Sequence, residues 1–468
     1  MKNRFRSFIC IILVMAFCFS VFPFSASASE DFVIENGVLK SYKGSATSVI
    51  IPSAVYSIAD NAFSGNTKVK SVNLNNVSVI GNEAFKGCTS LDSVSGYDNV
   101  TACGAYAFFA TPFLINYDKT DLVMGTVLVS SKAKGSYTIP SNVEAVAPYA
   151  LSGNTAVTSV TIPDGVTSIG EGAFYNCSGL KSVSVSSQVS YIGPFAFEGT
   201  SYLKSNTNEF LVLGNGILVK YSGASATPKV PDTVKQIAAG AFYNNTKLTS
   251  VTLPANLSGI GMRAFAGCTA LKDITLPNNL LLLDKEAFSG CTALESVKIP
   301  VTTKILGESV FFGCTKLKTA HILSDAEISR GMFANCTALK SVMISSEAES
   351  IGELAFYNCS SLAEISIPDT VKKIDDTAFK GVSKLSVYCN LNAFAANELK
   401  DRGFAVNQIG DANMDTKLNI KDATHIQKAT AGLLTLDFSS QLRADVDFNG
   451  TVNVKDATWI QKKLAGIV

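Results

Sequence analysis

Two twelve-residue segments near the C-terminus carry oxygen-bearing side chains at the same five positions. The first runs from Asp411 to Asp422 and the second from Asp445 to Asp456, 34 residues further on. A hard cation such as Ca²⁺ takes about six to eight oxygen ligands, and loops of this type supply them at such spacings. One run of Asp and Asn is also typical of a turn, but two matching runs indicate two Ca²⁺ sites. The predicted ligands, with only a backbone carbonyl needed at position 7, are Asp411, Asn413, Asp415, Lys417, Asn419 and Asp422 in the first loop and Asp445, Asp447, Asn449, Thr451, Asn453 and Asp456 in the second.

The segments that follow the two loops also match each other. Residues 422–433 align with residues 456–467, and each pattern predicts a helix that ends at Gly432 or Gly466. No amphipathic pattern precedes either loop, so we expect no helix there.

Paired loop–helix units with Asp at position 12 resemble the type I dockerin module of cellulosomal proteins. The resemblance covers residues 408–468 and implies an all-α module over residues 407–468 that binds a cohesin domain on a scaffold protein in the presence of Ca²⁺. Residues repeated between the helices are the expected cohesin contacts and present two nearly equivalent faces: Ala423, Thr424, Gln427, Lys428, Ala457, Thr458, Gln461 and Lys462. A second interpretation, compatible with the first, is a small core between the helices made by Ile426, Leu433, Ile460 and Leu464.

The two loops differ at position 6, where the backbone of such a loop turns sharply. The second loop has Gly450 there, whereas the first has Thr416, whose branched side chain disfavours positive φ by about 1–2 kcal/mol. We therefore expect the first loop to bind Ca²⁺ more weakly than the second.

The N-terminus has the pattern of a signal peptide over residues 1–28. Basic residues precede an apolar run, and Ala26-Ser27-Ala28 offers a cleavage site. This predicts a secreted, extracellular protein, held at a surface or cellulosomal scaffold through its C-terminal module. With 39 basic and 38 acidic residues, the chain has no electrostatic preference for nucleic acid or an anionic membrane.

Most of the remaining chain is one repeat of 22–23 residues. Each unit has a Val-x-x-Ile-Gly step, an Ala-Phe pair, a Leu, and a Ser-Val-x-Ile-Pro segment that alternates as a short strand does. A unit of this length cannot bury its own apolar face, so the units must stack into a solenoid. The buried anchor of the unit recurs at Phe63, Phe85, Phe108, Leu151, Phe174, Phe197, Phe242, Phe265, Phe288, Phe311, Phe333, Phe356 and Phe379.

This signature resembles the BspA-like class of bacterial leucine-rich-repeat proteins. The resemblance implies a β-rich solenoid of about 13 repeats over residues 29–406. Members of the class are mostly surface or secreted proteins implicated in adhesion, so the resemblance also implies a binding role.

Two longer gaps in the repeat hold predicted hairpins, near residues 112–140 and 201–230, and residues 32–42 have a similar pattern. We interpret the N-terminal hairpin as a cap. The internal pair either protrudes as ridges or divides the solenoid into three blocks. A helix within residues 390–406 is expected to cap the last coil, followed by a strand over residues 404–406.

Seven cysteines occupy one position of the repeat, which predicts small buried side chains rather than disulfides. They are Cys88, Cys177, Cys268, Cys291, Cys314, Cys336 and Cys359. The state of Cys103 and Cys389 stays open, and the absence of Cys/His clusters argues against zinc.

No catalytic motif is recognisable in the repeats. His321 is the only histidine there, and we interpret it as an outward-facing surface residue. The leading hypothesis is a non-catalytic adhesion protein whose solenoid binds a protein or surface ligand. The alternatives are a carbohydrate-active enzyme attached to the C-terminal module and a purely structural spacer. Release of sugar or cleavage of peptide would favour the enzyme.

Overall fold

A computed structural model describes residues 31–345 and 347–467, which form two compact units. The first unit comprises residues 31–207 and 211–217, and the second comprises residues 208–210 and 218–467. The predicted signal peptide lies outside the described residues.

The first unit consists of short strands and two short helices. Its elements are β1 (Phe32–Glu35), β2 (Val38–Tyr42), β3 (Ser48–Ile50), β4 (Ser57–Ile58), β5 (Ser71–Asn73), β6 (Val79–Ile80), β7 (Ser93–Ser95), β8 (Ala102–Cys103), α1 (Pro112–Ile115), β9 (Asp121–Met124), β10 (Val127–Ser131), β11 (Gly135–Thr138), β12 (Ala145–Val146), β13 (Val157–Ile162), β14 (Ser168–Ile169), β15 (Ser182–Val185), β16 (Tyr191–Ile192) and α2 (Ser201–Ser205). The chain passes from the first unit to the second within the hairpin of β17 (Phe210–Leu213) and β18 (Ile217–Tyr221).

The second unit continues the repeat and then becomes helical. Its remaining strands are β19 (Gln236–Ile237), β20 (Ser250–Val251), β21 (Gly259–Ile260), β22 (Asp273–Ile274), β23 (Leu282–Leu283), β24 (Ser296–Ile299), β25 (Ile305–Leu306), β26 (Thr319–Ile322), β27 (Ser341–Ile344), β28 (Ser350–Ile351), β29 (Glu364–Ser366), β30 (Lys373–Ile374), β31 (Ser386–Cys389) and β32 (Ala405–Gln408). Its helices are α3 (Phe394–Asp401), α4 (Ile420–Thr430), α5 (Phe438–Ala444) and α6 (Val454–Leu464).

A typical coil contributes two strands, and equivalent strands of successive coils pair in parallel. The predicted Ser-Val-x-Ile strand forms one column, as in β24, β26 and β27, where Val297, Ala320 and Val342 are in register. The second half of the Val-x-x-Ile-Gly step forms a further column of two-residue strands, such as β21 and β23. The repeat predicted the first column as strands but not the second. The solenoid fold predicted from the period is confirmed.

The anchor phenylalanines stack directly on one another along the solenoid. In the second unit the ring centroids of successive anchors from Phe242 to Phe379 are 4.7–5.6 Å apart, with nearly parallel planes. Tyr221 stacks on Phe242 at 4.9 Å, and in the first unit Tyr42 stacks on Phe63 at 5.0 Å. These distances match the spacing between neighbouring strands, so each coil buries its anchor against the next coil.

The hairpins are part of the solenoid and not ridges on its surface. In the first unit β10 pairs antiparallel with β9 and parallel with β12, while β2 pairs antiparallel with β1 and parallel with β4. The second strand of each hairpin therefore occupies the place of a coil strand. Of the two interpretations left open for the internal hairpins, the structure favours division of the solenoid into blocks for the hairpin of β9 and β10.

The cysteines of the repeat are free and buried, as predicted, and so are Cys103 and Cys389. Each repeat thiol donates to a backbone carbonyl of the preceding coil; Cys291 Sγ, for example, lies 3.2 Å from the oxygen of Phe265. Burial raises the pKa of Cys88 to about 11 and that of Cys268 to about 12. The thiols of Cys88 and Cys268 therefore stay protonated and inert near neutral pH.

The end of the solenoid is closed by α3 and β32. Helix α3 falls within the predicted residues 390–406, and β32 pairs in parallel with β31, a little later than the predicted strand. Among the described residues, no helix is both long and apolar enough to cross a membrane.

We predict that Phe288→Ala destabilises the second unit by about 3–5 kcal/mol, because it empties one place in the stack. Phe288 is fully buried, and its ring lies 5.0 Å from that of Phe265 and 5.5 Å from that of Phe311. The midpoint of denaturant unfolding, followed by circular dichroism, measures the effect. Phe312→Ala is the matched control, because this residue is 41% exposed. Equal shifts of the two midpoints would contradict a stabilising role for the stack.

Candidate metal centre and interaction surface

The first twelve-residue loop is organised by the carboxylates at its two ends. The carboxylate of Asp411 accepts from the backbone N–H groups of Asp415 (3.0 Å) and Thr416 (2.9 Å). Asp422 accepts from the N–H groups of Asn413 (3.2 Å) and Asn419 (2.8 Å). Each carboxylate oxygen has a second lone pair left for a cation.

The second loop repeats this arrangement. Asp445 accepts from the N–H groups of Asn449 (3.1 Å) and Gly450 (2.7 Å), and Asp456 accepts from those of Val446 (3.0 Å) and Asn453 (2.8 Å). The sequence match between the loops is therefore also a match of conformation.

Position 6 has positive φ in both loops. Thr416 has φ of 69° and Gly450 has φ of 81°. The left-handed backbone expected from the sequence is confirmed, and Thr416 adopts it despite its branched side chain.

Acidic side chains converge most closely in the second loop. Carboxylate oxygens of Asp445, Asp447 and Asp456 all lie within 4.8 Å of one another, and no other group of three potential ligands meets this criterion in the part of the chain that the structure describes. Asp445 and Asp456 are almost completely buried. Burial, reinforced by the neighbouring carboxylates, raises the pKa of Asp445 to about 7 and that of Asp456 to about 6.

Burial also raises the pKa of Asp422 in the first loop, with a further contribution from Asp411 and Asp415. A carboxylate buried in this way is either protonated or balanced by a positive charge. A hard divalent cation fits this donor set of carboxylates, amides and backbone carbonyls. The residues of both loops could hold such a cation, and the second loop gathers its carboxylates more closely.

Helices α4 and α6 begin within the loops and are capped by them. Asn419 and Asn453 are the N-cap residues, and each forms a capping box with the last Asp of its loop. Gly432 and Gly466, with φ of 72° and 70°, lie just beyond the helices, as predicted.

The predicted contact residues divide between surface and core. Six of them are exposed on α4 and α6: Thr424, Gln427, Lys428, Thr458, Gln461 and Lys462. Ala423 and Ala457 are buried, so their side chains are not available to a partner. Of the four apolar residues proposed as a core, Ile426 and Ile460 are buried, whereas Leu433 and Leu464 are exposed.

A helix precedes the second loop, contrary to the sequence-based expectation. Helix α5 spans Phe438–Ala444, its N-cap Asp437 accepts from the N–H of Ser440, and Asp445 is its C-cap residue. Seven residues are too few for a clear amphipathic period, and contacts outside the helix stabilise it.

Those contacts are made with the strand column of the last coils, on its outward face. Met343 and Tyr388 are buried in the same apolar cluster as Ile409, Leu442 and Val446. Helix α5 packs against β27 and β29. The C-terminal module therefore lies on the solenoid strands through α5, and the short connection after β32 is consistent with this.

His321 faces outward, as interpreted from the sequence, but it is partly covered and not freely exposed. Its ring packs edge-on against Phe438, with 6.3 Å between the centroids, and burial, together with Lys298, lowers its pKa to about 4. Ser341, in the neighbouring strand β27, is buried. The side chain of His321 is partly buried, and its Nε2 is buried without a hydrogen-bond partner among the described residues. The imidazole is therefore neutral near pH 7 and only partly accessible from solvent.

A signal for this covered face is present in the sequence. Outward strand positions in the preceding coils are polar, as at Thr252, Thr275 and Lys298, and they are exposed. The corresponding positions of the last coils include Met343 and Tyr388, in register with His321. The change from polar to apolar outward residues marks where another element packs.

The repeat geometry agrees with a family assignment. A model described as the BspA type Leucine rich repeat region matches residues 33–119, 130–211, 221–337 and 326–443. The protein belongs to this family of leucine-rich-repeat proteins.

Solved structures of similar proteins include a leucine rich cell surface protein from Faecalibacterium prausnitzii, with 24% identity, a TM-score of 0.29, and coverage of 66% of this chain and 92% of that one. A leucine-rich repeat protein from Bacteroides ovatus has 23% identity and a TM-score of 0.34, with 84% and 100% covered. The pneumococcal vaccine antigen PcpA has 18% identity and a TM-score of 0.33, with 79% and 91% covered. No curated protein matches the chain. Because the TM-scores are low, the assignment rests on the repeat model.

We predict that Met343→Asp detaches the C-terminal helices from the strand face. Met343 is only 3% exposed, and burying an unpaired carboxylate there costs several kcal/mol. This cost is about as large as the free energy by which a small apolar contact holds the helix on the strands. Hydrogen exchange of α5 should then become faster. The control is Lys298→Asp, at an exposed position on the same row of outward residues. Unchanged protection of α5 in Met343→Asp would contradict the packing described.

Proposed function

We propose that this protein is a secreted, non-catalytic binding protein with two working parts. The solenoid contacts a protein or surface ligand, and the C-terminal module, residues 407–468, attaches it to a scaffold by Ca²⁺-dependent binding of a cohesin domain. The proposal combines the repeat family with the dockerin-like pattern of the two loops.

The observation that carries the proposal is the set of buried carboxylates in the second loop. Asp445 and Asp456 are buried, and neither forms an ion pair with a basic side chain among the described residues. Their hydrogen bonds come from backbone amides, which orient the carboxylates but leave the charge uncompensated. Ca²⁺ supplies the missing charge, and two loops of one conformation support two ions.

The free surface of α4 and α6 supports a docking role. Thr424 and Thr458, Gln427 and Gln461, and Lys428 and Lys462 are exposed at equivalent positions of the two helices. The solenoid covers α5 instead, which leaves the repeated face uncovered by the described part of the chain. A partner such as cohesin can therefore approach this face while the module stays packed on the strands.

The strand face of the earlier coils in the second unit supports the binding role of the solenoid. Its outward residues are small, polar or charged, as at Thr252, Asp273 and Lys298, and they are exposed. A polar surface of this kind suits a protein ligand better than a flat glycan, which favours aromatic platforms. Because the last coils are covered by the C-terminal helices, the ligand surface on this face is confined to earlier coils.

We predict that Thr416→Gly raises the Ca²⁺ affinity of the first loop. Glycine removes the strain of positive φ, about 1–2 kcal/mol, which corresponds to roughly tenfold in affinity. Calorimetric titration of the full mature chain measures both sites. Thr451→Gly makes the same exchange at position 7 of the second loop, where φ is not positive, and should bring no gain. Equal affinities before and after Thr416→Gly would remove strain as the reason for a weaker first loop.

We predict that the chain binds at least one member of a cohesin panel in Ca²⁺ and loses this binding in EDTA. Because the two helices present similar faces, Lys428→Ala or Lys462→Ala alone should weaken binding less than about threefold, whereas the double variant should weaken it strongly. Titration calorimetry gives the dissociation constants. Loss of binding in either single variant would contradict two equivalent faces.

Calcium uptake without any cohesin binding would leave a stabilising Ca²⁺ module on a free solenoid. Release of reducing sugar or cleavage of peptide by the purified chain would instead favour the enzymatic alternative.

A further inference from the structure

One arginine connects the first twelve-residue loop to the solenoid. Arg443, in the last turn of α5, donates through Nη2 to Oε2 of Glu364 in β29 at 3.2 Å. Its Cζ lies 4.5 Å from the centroid of the Tyr388 ring in β31. The side chain is only 15% exposed, so this charge acts in a partly dehydrated setting.

The same guanidinium is close to a predicted Ca²⁺ ligand. Arg443 Nη1 lies 3.9 Å from Oδ2 of Asp411, position 1 of the first loop. The backbone N–H of Gly410 also donates to the carbonyl of Arg443, at 2.9 Å. The end of α5 and the start of the first loop are therefore joined through both main chain and side chain.

Glu364 is the centre of the contact on the solenoid side. Its Oε1 accepts from the hydroxyl of Ser341 at 2.8 Å and from the hydroxyl of Ser439 in α5. Its side chain is 13% exposed, and the hydrogen bonds fix it beneath Arg443. The solenoid thus presents one oriented carboxylate to the helix that precedes the second loop.

The charges of Arg443 and Glu364 have opposite effects on cation binding by Asp411. A guanidinium beside a carboxylate competes with a cation for that carboxylate, and its positive charge repels the ion. Glu364 draws Arg443 toward the strands and neutralises its charge. The electrostatic environment of the first loop therefore depends on whether the module is seated on the solenoid.

We propose that Glu364 of the solenoid raises the Ca²⁺ affinity of the first loop by holding and neutralising Arg443, so that ion binding and seating of the module on the strands reinforce each other. This inference rests on the proposed Ca²⁺ binding by the loops. The coupling is reciprocal by thermodynamic linkage: if seating favours the ion, the ion favours seating to the same extent.

The second loop packs against the solenoid through van der Waals contacts and not through an ion pair. A Cβ at Gly450 would lie 2.1 Å from Cδ2 of Leu323 and 3.1 Å from Nε2 of His321. The second loop is therefore in close contact with the strand face, and among the described residues no ion pair joins a basic side chain to Asp445, Asp447 or Asp456. The Ca²⁺ affinity of the second loop therefore serves as an internal control for the effect of Glu364 on the first loop.

The test is calorimetric titration of CaCl₂ into the full mature chain and into Glu364→Gln. One of the two sites should weaken about fivefold in Glu364→Gln, the size expected for one added positive charge several ångströms from the ion. The other site should not change. Glu295→Gln is the matched control, because Glu295 pairs with Lys318 within the solenoid at 2.7 Å and should alter neither site.

A second variant separates the charge effect from general loosening of the interface. Adding Arg443→Gln to Glu364→Gln removes the competing cation and should restore the weakened site to within about twofold of the parent, whereas a merely structural role would give no recovery. Hydrogen exchange of β27 should also slow on Ca²⁺ addition in the parent but not in Glu364→Gln.

The outcomes distinguish this inference from the proposed function. Absence of Ca²⁺ binding in the parent chain would overturn the proposed function and the inference together. Two sites of unchanged affinity in Glu364→Gln would overturn the inference alone, as would failure of Arg443→Gln to restore affinity. Trp459, the single tryptophan of the chain, reports by fluorescence that the module is folded in each variant.

Discussion

A coil of 22–23 residues cannot enclose its own apolar face, and the rest of the structure follows from this constraint. Where neighbouring coils both have a Phe anchor, the two rings cover each other, which sets a spacing of about 5 Å, close to that of paired strands. The Phe stack and the parallel strand columns are thus two consequences of one repeat. Ends of a stack have no next coil, and aromatic residues of hairpins, such as Tyr42 and Tyr221, cover the ring that would otherwise be exposed.

The same constraint leaves the outward strand positions free to vary, because they contribute nothing to the stack. In the earlier coils of the second unit they are polar and exposed, as at Thr275 and Lys298. In the last coils they include Met343 and Tyr388 and are covered by the C-terminal helices. A solenoid can therefore offer one stretch of its strand face to a ligand and use another to hold its own module, without any change in its core.

The C-terminal module has a different source of order. Its apolar core is small, and its loops hold buried carboxylates such as Asp445 and Asp456, which by themselves oppose folding. A bound divalent cation would convert this cost into stabilisation, because a folded loop gathers ligands that an unfolded chain does not. Packing on the solenoid contributes in addition through Glu364 and Arg443. Module and solenoid are best regarded as one cooperative assembly in the proposed function.

The sequence by itself determined the features that depend on local spacing: the repeat, the buried anchors and thiols, the paired loops, and the positive φ at Thr416. These could be predicted because each repeats along the chain, and repetition averages out the ambiguity of single residues. Only the tertiary structure decided the partial burial of His321, the formation of α5, and the pairing of Glu364 with Arg443. The residues involved are far apart in sequence and occur once, so no period indicates them, and their environment exists only after the module has packed on the strands.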